Sequence, residues 1–153
     1  MYERILIPTD GSDVAEFAVD HALDLAEKYD AEVHALYVVD IDSVHLSLGT
    51  EQVDRLKQGR FGEMEELKDQ ADEATGFVAD RGAERGVEVV EHVSGGRPHK
   101  LIADYAEDHE IDLIVMGSHG RAGVRRALLG SVTERTLRST HVPVLVVDYL
   151  DED

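Results

Sequence analysis

Five short aliphatic runs recur along the chain, separated by longer stretches in which apolar positions return every three or four residues. "RILIPTD" (4–10), "EVHALYVVD" (32–40), "GVEVVEHV" (86–93), "DLIVMG" (112–117) and "VPVLVVDY" (142–149) are dominated by near-continuous apolar residues. Such runs predict strands covered on both faces. Val14, Phe17, Ala18, His21, Leu25 and Tyr29 lie on one face of a helix over 13–29, with Ser12 or Asp13 as N-cap. From 51 to 86, Val53, Leu56, Met64, Leu67, Ala71, Ala74 and Val78 keep a helical period. Gly59, Gly62 and Gly76 weaken it, each by ~1 kcal/mol against alanine, and a break is expected near 59–62. Gly95-Gly96-Arg97-Pro98 reads as a turn, with Pro98 opening a helix over 98–109 whose apolar face is Leu101, Ile102, Tyr105 and Ala106. A short helix is expected over 131–140.

Strands alternating with helices require right-handed crossovers and therefore a parallel sheet. The pattern predicts one α/β domain over 1–153, a doubly wound five-stranded parallel sheet with helices on both faces, Rossmann-like in organisation. In such sheets a ligand sits outside the carboxyl ends of the strands, where strand order reverses. Those ends are Pro8-Thr9-Asp10, Val38-Val39-Asp40, His92-Val93-Ser94 and Met116-Gly117. Residues 40–60 carry Ile41, Val44, Leu46 and Leu48, which suits either a lid over that edge or a surface loop packed on the domain.

Charge sharpens the picture. The chain has 33 Asp and Glu against 15 Lys and Arg, a net charge of −18. That excess argues against binding nucleic acid or anionic membrane by phosphate neutralisation. Only Lys28, Lys57, Lys68 and Lys100 are lysines, a balance expected of a salt-accumulating, halophilic cytoplasm. Without cysteine, disulfides and thiolate chemistry are excluded. No signal-like segment or run of membrane-spanning length is apparent, so a cytoplasmic protein with no membrane partner is expected.

Against this acidic background stands "MGSHGRAGVRRALLGS" (116–131). Leu113 to Thr133 contains no Asp or Glu, where the average density of the chain would place about four or five. Gly117, Gly120, Gly130 and Ser131 are spaced G-x2-G-x9-G-S between a strand end and a helix start. Glycines let main-chain N–H groups approach an anion, and a helix start adds free donors and a favourable dipole. Arg121, Arg125 and Arg126 add positive charge, and His119 lies within the loop. The pattern is neither the P-loop nor the dinucleotide fingerprint. Tight turning alone would also use such glycines.

The spacing, together with "ILIPTDGS" (5–12), "VMGSHGR" (115–121) and "HVPVLVV" (141–147), resembles the universal stress proteins of the ATP-binding kind over essentially the whole chain. The resemblance implies an adenine-nucleotide α-hydrolase-like fold and ATP, with Mg²⁺ as its companion, as the ligand. It implies that Pro8, Thr9 and Asp10 line the adenosine pocket, with Asp10 at the ribose, and that Val38 touches adenine. Met116 and Gly117 would flank the nucleoside. Gly120, Gly130, Ser131 and Val132 would hold phosphates, with His119 and Arg121 as further candidates. It also implies a homodimer through the last strand, Val142–Val147.

Catalytic residues are not legible. Ser118, Ser131 and Thr133 have no base that can be paired with them, and the eight histidines show no i,i+4 metal pair. Asp10 or Asp40 could help hold Mg²⁺. The expectation is an ATP-binding stress-response or regulatory protein with at most slow hydrolysis. Two alternatives stay open: a homodimeric interaction module that binds no nucleotide, and a nucleotide-dependent enzyme of a related α/β fold. "SGGRPH" (94–99) only mimics a pyrophosphatase loop. The preference among ATP, ADP and AMP and the signalling partner are not written in the sequence.

Overall fold

All strand pairs of the sheet are parallel, and the order is β3-β2-β1-β4-β5. The strands are β1 (Arg4–Thr9), β2 (Glu32–Asp40), β3 (Val89–Gly96), β4 (Leu113–Gly117) and β5 (Val144–Val147). Helices α1 (Asp13–Tyr29), α2 (Glu65–Glu84), α3 (Pro98–Asp108) and α4 (Ser131–Ser139) connect them. This computed structural model describes residues 1–40, 65–119 and 129–148. The expected break near 59–62, the start of the long helix and the segment 41–60 lie outside them.

Strands β1, β2 and β4 feed two cores. Ile5, Ile7, Val33, Ala35, Leu113 and Val115 turn toward α1 and α2, against Ala18, Val19, Ala22, Leu23 and Val78. The intervening positions Leu6, Leu36, Ile114 and Met116 turn toward α3, against Ile102, Tyr105 and Ala106. Burial on both faces is why β1, β2 and β4 read as near-continuous aliphatic runs. The sheet is doubly wound, as expected.

Three local readings need correction. The buried face of α1 is Val14, Ala15, Ala18, Val19, Ala22, Leu23 and Ala26, whereas Phe17 and Tyr29 are exposed. Small alanines let this helix lie close on the sheet, so the large aromatics turn outward, where Phe17 meets the His21 ring edge-on. Strand β3 starts at Val89, not Gly86, and runs through Gly95 and Gly96, which were expected in a turn. The length of β2 decides this, because Val38, Val39 and Asp40 pair with Ser94, Gly95 and Gly96. Finally, β3 is an edge strand with Val90 and Val93 exposed, so its sequence misleads about two-sided cover.

Candidate functional site

Strand order reverses between β1 and β4, with β2 and β3 on one side and β5 on the other. Pairing of β1 with β4 stops at Leu6–Ile114, although both strands run three residues further. Pro8 supplies the reason. The Arg4 carbonyl faces β4, where it accepts from the Asp112 N–H at 2.9 Å. By two-residue alternation the Leu6 and Pro8 main chains face the same way. Pro8 has no N–H to give, so the next rung cannot form. On its other side β1 stays in register with β2 through Thr9–Tyr37. The carboxyl ends of β1 and β4 thus stand side by side without a ladder between them.

Beyond β1 the chain turns sharply into α1. Thr9 Oγ1 accepts from the Gly11 N–H at 3.2 Å, and Asp10 Oδ1 accepts from the Ser12 N–H at 2.9 Å. Ser12 is the N-cap, accepting from the Ala15 N–H at 3.2 Å. Asp10 therefore shapes the turn before the helix, and the cap belongs to its neighbour.

Beyond β4, Ser118 ties several pieces together. Its N–H donates to the Val147 carbonyl at 2.8 Å, and its own carbonyl accepts from the Gly130 N–H at 2.7 Å. Its hydroxyl donates to Asp148 Oδ1 at 2.7 Å and lies 3.2 Å from His119 Nδ1. Thr133 Oγ1 donates to the Gly117 carbonyl at 2.8 Å, locking the first turn of α4 onto the end of β4. The two ends of the glycine-rich stretch are thus held together, directly before α4. Gly130 is the N-cap of α4 and has no side chain to offer the N–H groups of the first turn.

Two signature glycines sit where a side chain would collide. A Cβ on Gly117 would lie 2.6 Å from Val14 Cγ1 and 3.3 Å from the Val14 carbonyl carbon. One on Gly130 would lie 2.9 Å from His119 Cα. Met116 is buried in the α3-side core, and Val38 and Val132 pack against that same cluster. Pro8, Thr9, Asp10, Met116, Gly117, His119, Gly130, Ser131 and Val132 are therefore gathered at one edge of the sheet. Val38 lies on the same edge, one strand away. Gly120 and Arg121 lie outside the described residues.

Sequence reasoning missed Asp148 altogether and did not see Ser118 as a junction. Asp148 directly follows β5, and its meeting with Ser118 depends on β5 lying beside β4. The position of a carboxylate one residue past a strand end was the available signal. Among the described residues, no three His, Asp or Glu side chains converge to hold a metal ion.

The universal stress protein family model matches residues 1–148. Universal stress protein MJ0531 of Methanocaldococcus jannaschii is 43% identical over 148 residues, covering 96% of this chain and 82% of that protein. The solved structure of MJ0577, from the same organism, superposes with a TM-score of 0.78 at 35% identity, covering 99% of each chain. A universal stress protein from Archaeoglobus fulgidus, solved in complex with dAMP, shares the fold with a TM-score of 0.64 at 22% identity, covering 95% of this chain and 98% of that one. The chain belongs to the universal stress protein family.

Proposed function

We propose that this chain binds ATP, or another adenine nucleotide, at the carboxyl ends of β1 and β4, as the regulatory ligand of a cytoplasmic stress-response protein. The carrying observation is the unpaired β1–β4 edge beside a glycine-rich segment whose two ends are fastened by the 2.7 Å bond from the Gly130 N–H to the Ser118 carbonyl. In this reading Pro8, Thr9 and Asp10 border the nucleoside, with Val38, Met116 and Gly117 around it. Gly130, Ser131 and Val132 offer main-chain donors to phosphates, and Gly120 and Arg121 complete the loop. Mg²⁺ would travel with the triphosphate, neutralising charge next to a strongly acidic protein. The reading is binding with at most slow hydrolysis.

Calorimetric titration of nucleotide-free protein with Mg-ATP in molar KCl, with AMP as comparison, tests this. Micromolar ATP binding and much weaker AMP binding are expected. Binding of neither would make the glycines purely structural and leave an interaction module as the function.

An edge-strand observation favours self-association alongside nucleotide binding. Strand β5 ends the sheet and carries Leu145 at 37% exposure, with Leu137 of α4 at 41%. Natural proteins cover or pair such edges. A homodimer through Val142–Val147 is the proposed cover. Sedimentation of a monomer at micromolar concentration would remove it.

A further inference from the structure

At the opposite end of the sheet from β5, β3 is an edge strand of eight residues, paired with β2 in unbroken register from Val33–Val89 to Asp40–Gly96. The Val33 N–H donates to the Glu88 carbonyl at 3.0 Å. By two-residue alternation the main chains of Val90, His92 and Ser94 face β2, and those of Val89, Glu91, Val93 and Gly95 face outward. Among the described residues nothing bonds to these outward groups. Proteins usually blunt such an edge with lysine, proline, a bulge or a very short strand. Strand β3 has none of these. Val89 packs on the α1–α2 core, so Glu91 and Val93 stand on that side of the sheet, both exposed. Val90 is exposed on the other side, where its neighbour-but-one His92 meets the Tyr105 ring of α3 at 5.4 Å.

We infer that the outer edge of β3 docks an extended basic segment of another protein, which adds to the five-stranded sheet as a further strand. Charge selects this occupant. The two helices in contact with β3 are acidic: α2 has seven Asp and Glu against two Lys and Arg, and α3 has three against one. Two copies of this chain paired along β3 would bring these acidic faces and both Glu91 side chains to one junction, with a net charge of −18 on each copy. A segment that alternates Lys or Arg with apolar residues suits the edge better. Its main chain bonds to Glu91 and Val93, its apolar side chains cover Val90 or Val93, and its cations lie near Glu91 and the helix acids. The docking is independent of the nucleotide reading, because β2 separates β3 from the β1–β4 junction.

Amide exchange of the full chain, without nucleotide and in about 0.1 M KCl, tests this with a peptide of alternating lysine and valine as long as β3. In the peptide-free chain the Glu91 and Val93 amides should exchange quickly, and the Val90 and His92 amides slowly. Saturating peptide should slow Glu91 and Val93 about tenfold. Val93→Pro removes an outward donor and leaves the β2 ladder intact, so peptide affinity should fall about tenfold while the urea midpoint stays near that of the parent. Glu91→Lys keeps every main-chain donor and carries the test if the proline variant does not fold. It should weaken the lysine–valine peptide about threefold and strengthen a glutamate–valine counterpart. Glu91 and Val93 amides already slow without peptide would overturn the inference, and sedimentation would then tell whether this chain or a second copy covers the edge. Peptide that leaves both amides fast would overturn it as well. So would undiminished affinity for a folded Val93→Pro chain, or for Glu91→Lys, because the peptide would then be held by the acidic surface elsewhere.

Discussion

At the scale of single residues, the signature glycines serve packing as well as any ligand. The Cβ of Gly117→Ala would meet the Val14 carbonyl carbon, which is helix backbone and cannot swing aside as a side-chain tip can. Overpacking of this kind costs about 1–3 kcal/mol, so the urea midpoint should fall with an unchanged slope. A midpoint within error of the parent would mean that α1 shifts freely, and the close-packing account would fail. Tyr105 offers a second test. Its hydroxyl lies 2.7 Å from Nδ1 of buried His34, whose Nε2 meets Glu32 at 2.6 Å, and its ring stacks on His109 at 3.8 Å. Burial, and then the Glu32 charge, push the phenol above its ordinary range. A phenol that holds its proton more tightly when folded contributes stability that is complete below the unfolded value of about 10 and lost as pH rises through the folded value. Tyr105→Phe should cost about 1 kcal/mol near neutrality by leaving His34 without this partner. It should also flatten the alkaline limb of a stability-against-pH curve, and an equally steep limb would count against the assignment.

At the scale of elements, the strands were legible because each buried run is bounded by turn residues. What escaped was whatever depends on which elements end up side by side. The α1 face was misread because Phe17 and Tyr29 look like anchors, while the close approach of helix to sheet favours Ala15, Ala18, Ala22 and Ala26. The limits of β3 were misread because pairing with β2 overrides glycine punctuation at Gly95 and Gly96. The glycine stretch marked out the candidate site, since local spacing and absence of acids can be seen in one dimension. The Asp148–Ser118 contact spans thirty positions and needs the strand order to exist. Pro8 was visible, yet its effect on the β1–β4 edge becomes apparent only when β4 is known to be its neighbour. Pro8→Ala restores an N–H facing β4 and should let the ladder close by one rung. The amide introduced by that substitution should then exchange slowly with solvent, and under the proposed function ATP affinity should drop. Net stability should move by less than about 1 kcal/mol, because the regained bond is offset by a looser unfolded chain. Fast exchange of the introduced amide would show that the gap has another cause.

At the scale of the whole molecule, charge competes with the fold. Arg85 draws Asp24 and Glu27 of α1 onto the turn before β3, and Arg81 meets Asp20 at 3.5 Å, so α1 and the end of α2 are stitched by ion pairs. The Arg85 guanidinium holds the Glu27 carboxyl below its usual range. That contribution is present above the unfolded value and lost as pH falls through the folded one. Such exposed pairs are worth little each and are screened by salt. The excess of 18 negative charges is screened too, and it acts in the opposite direction. Raising ionic strength from about 0.01 M to about 1 M shortens the screening length from roughly 30 Å to roughly 3 Å. Over that interval repulsion between distant acids disappears almost completely, while contact pairs closer than 4 Å are only weakened. Salt should therefore raise the melting temperature, steeply at first and then less as distant repulsion is exhausted. Arg85→Met should lower the whole curve while leaving its upward slope, because one contact network is lost and the net repulsion grows. A melting temperature indifferent to KCl from dilute buffer to molar salt would mean that the acidic surface does not strain the fold, and the halophilic reading of the composition would lose its physical basis.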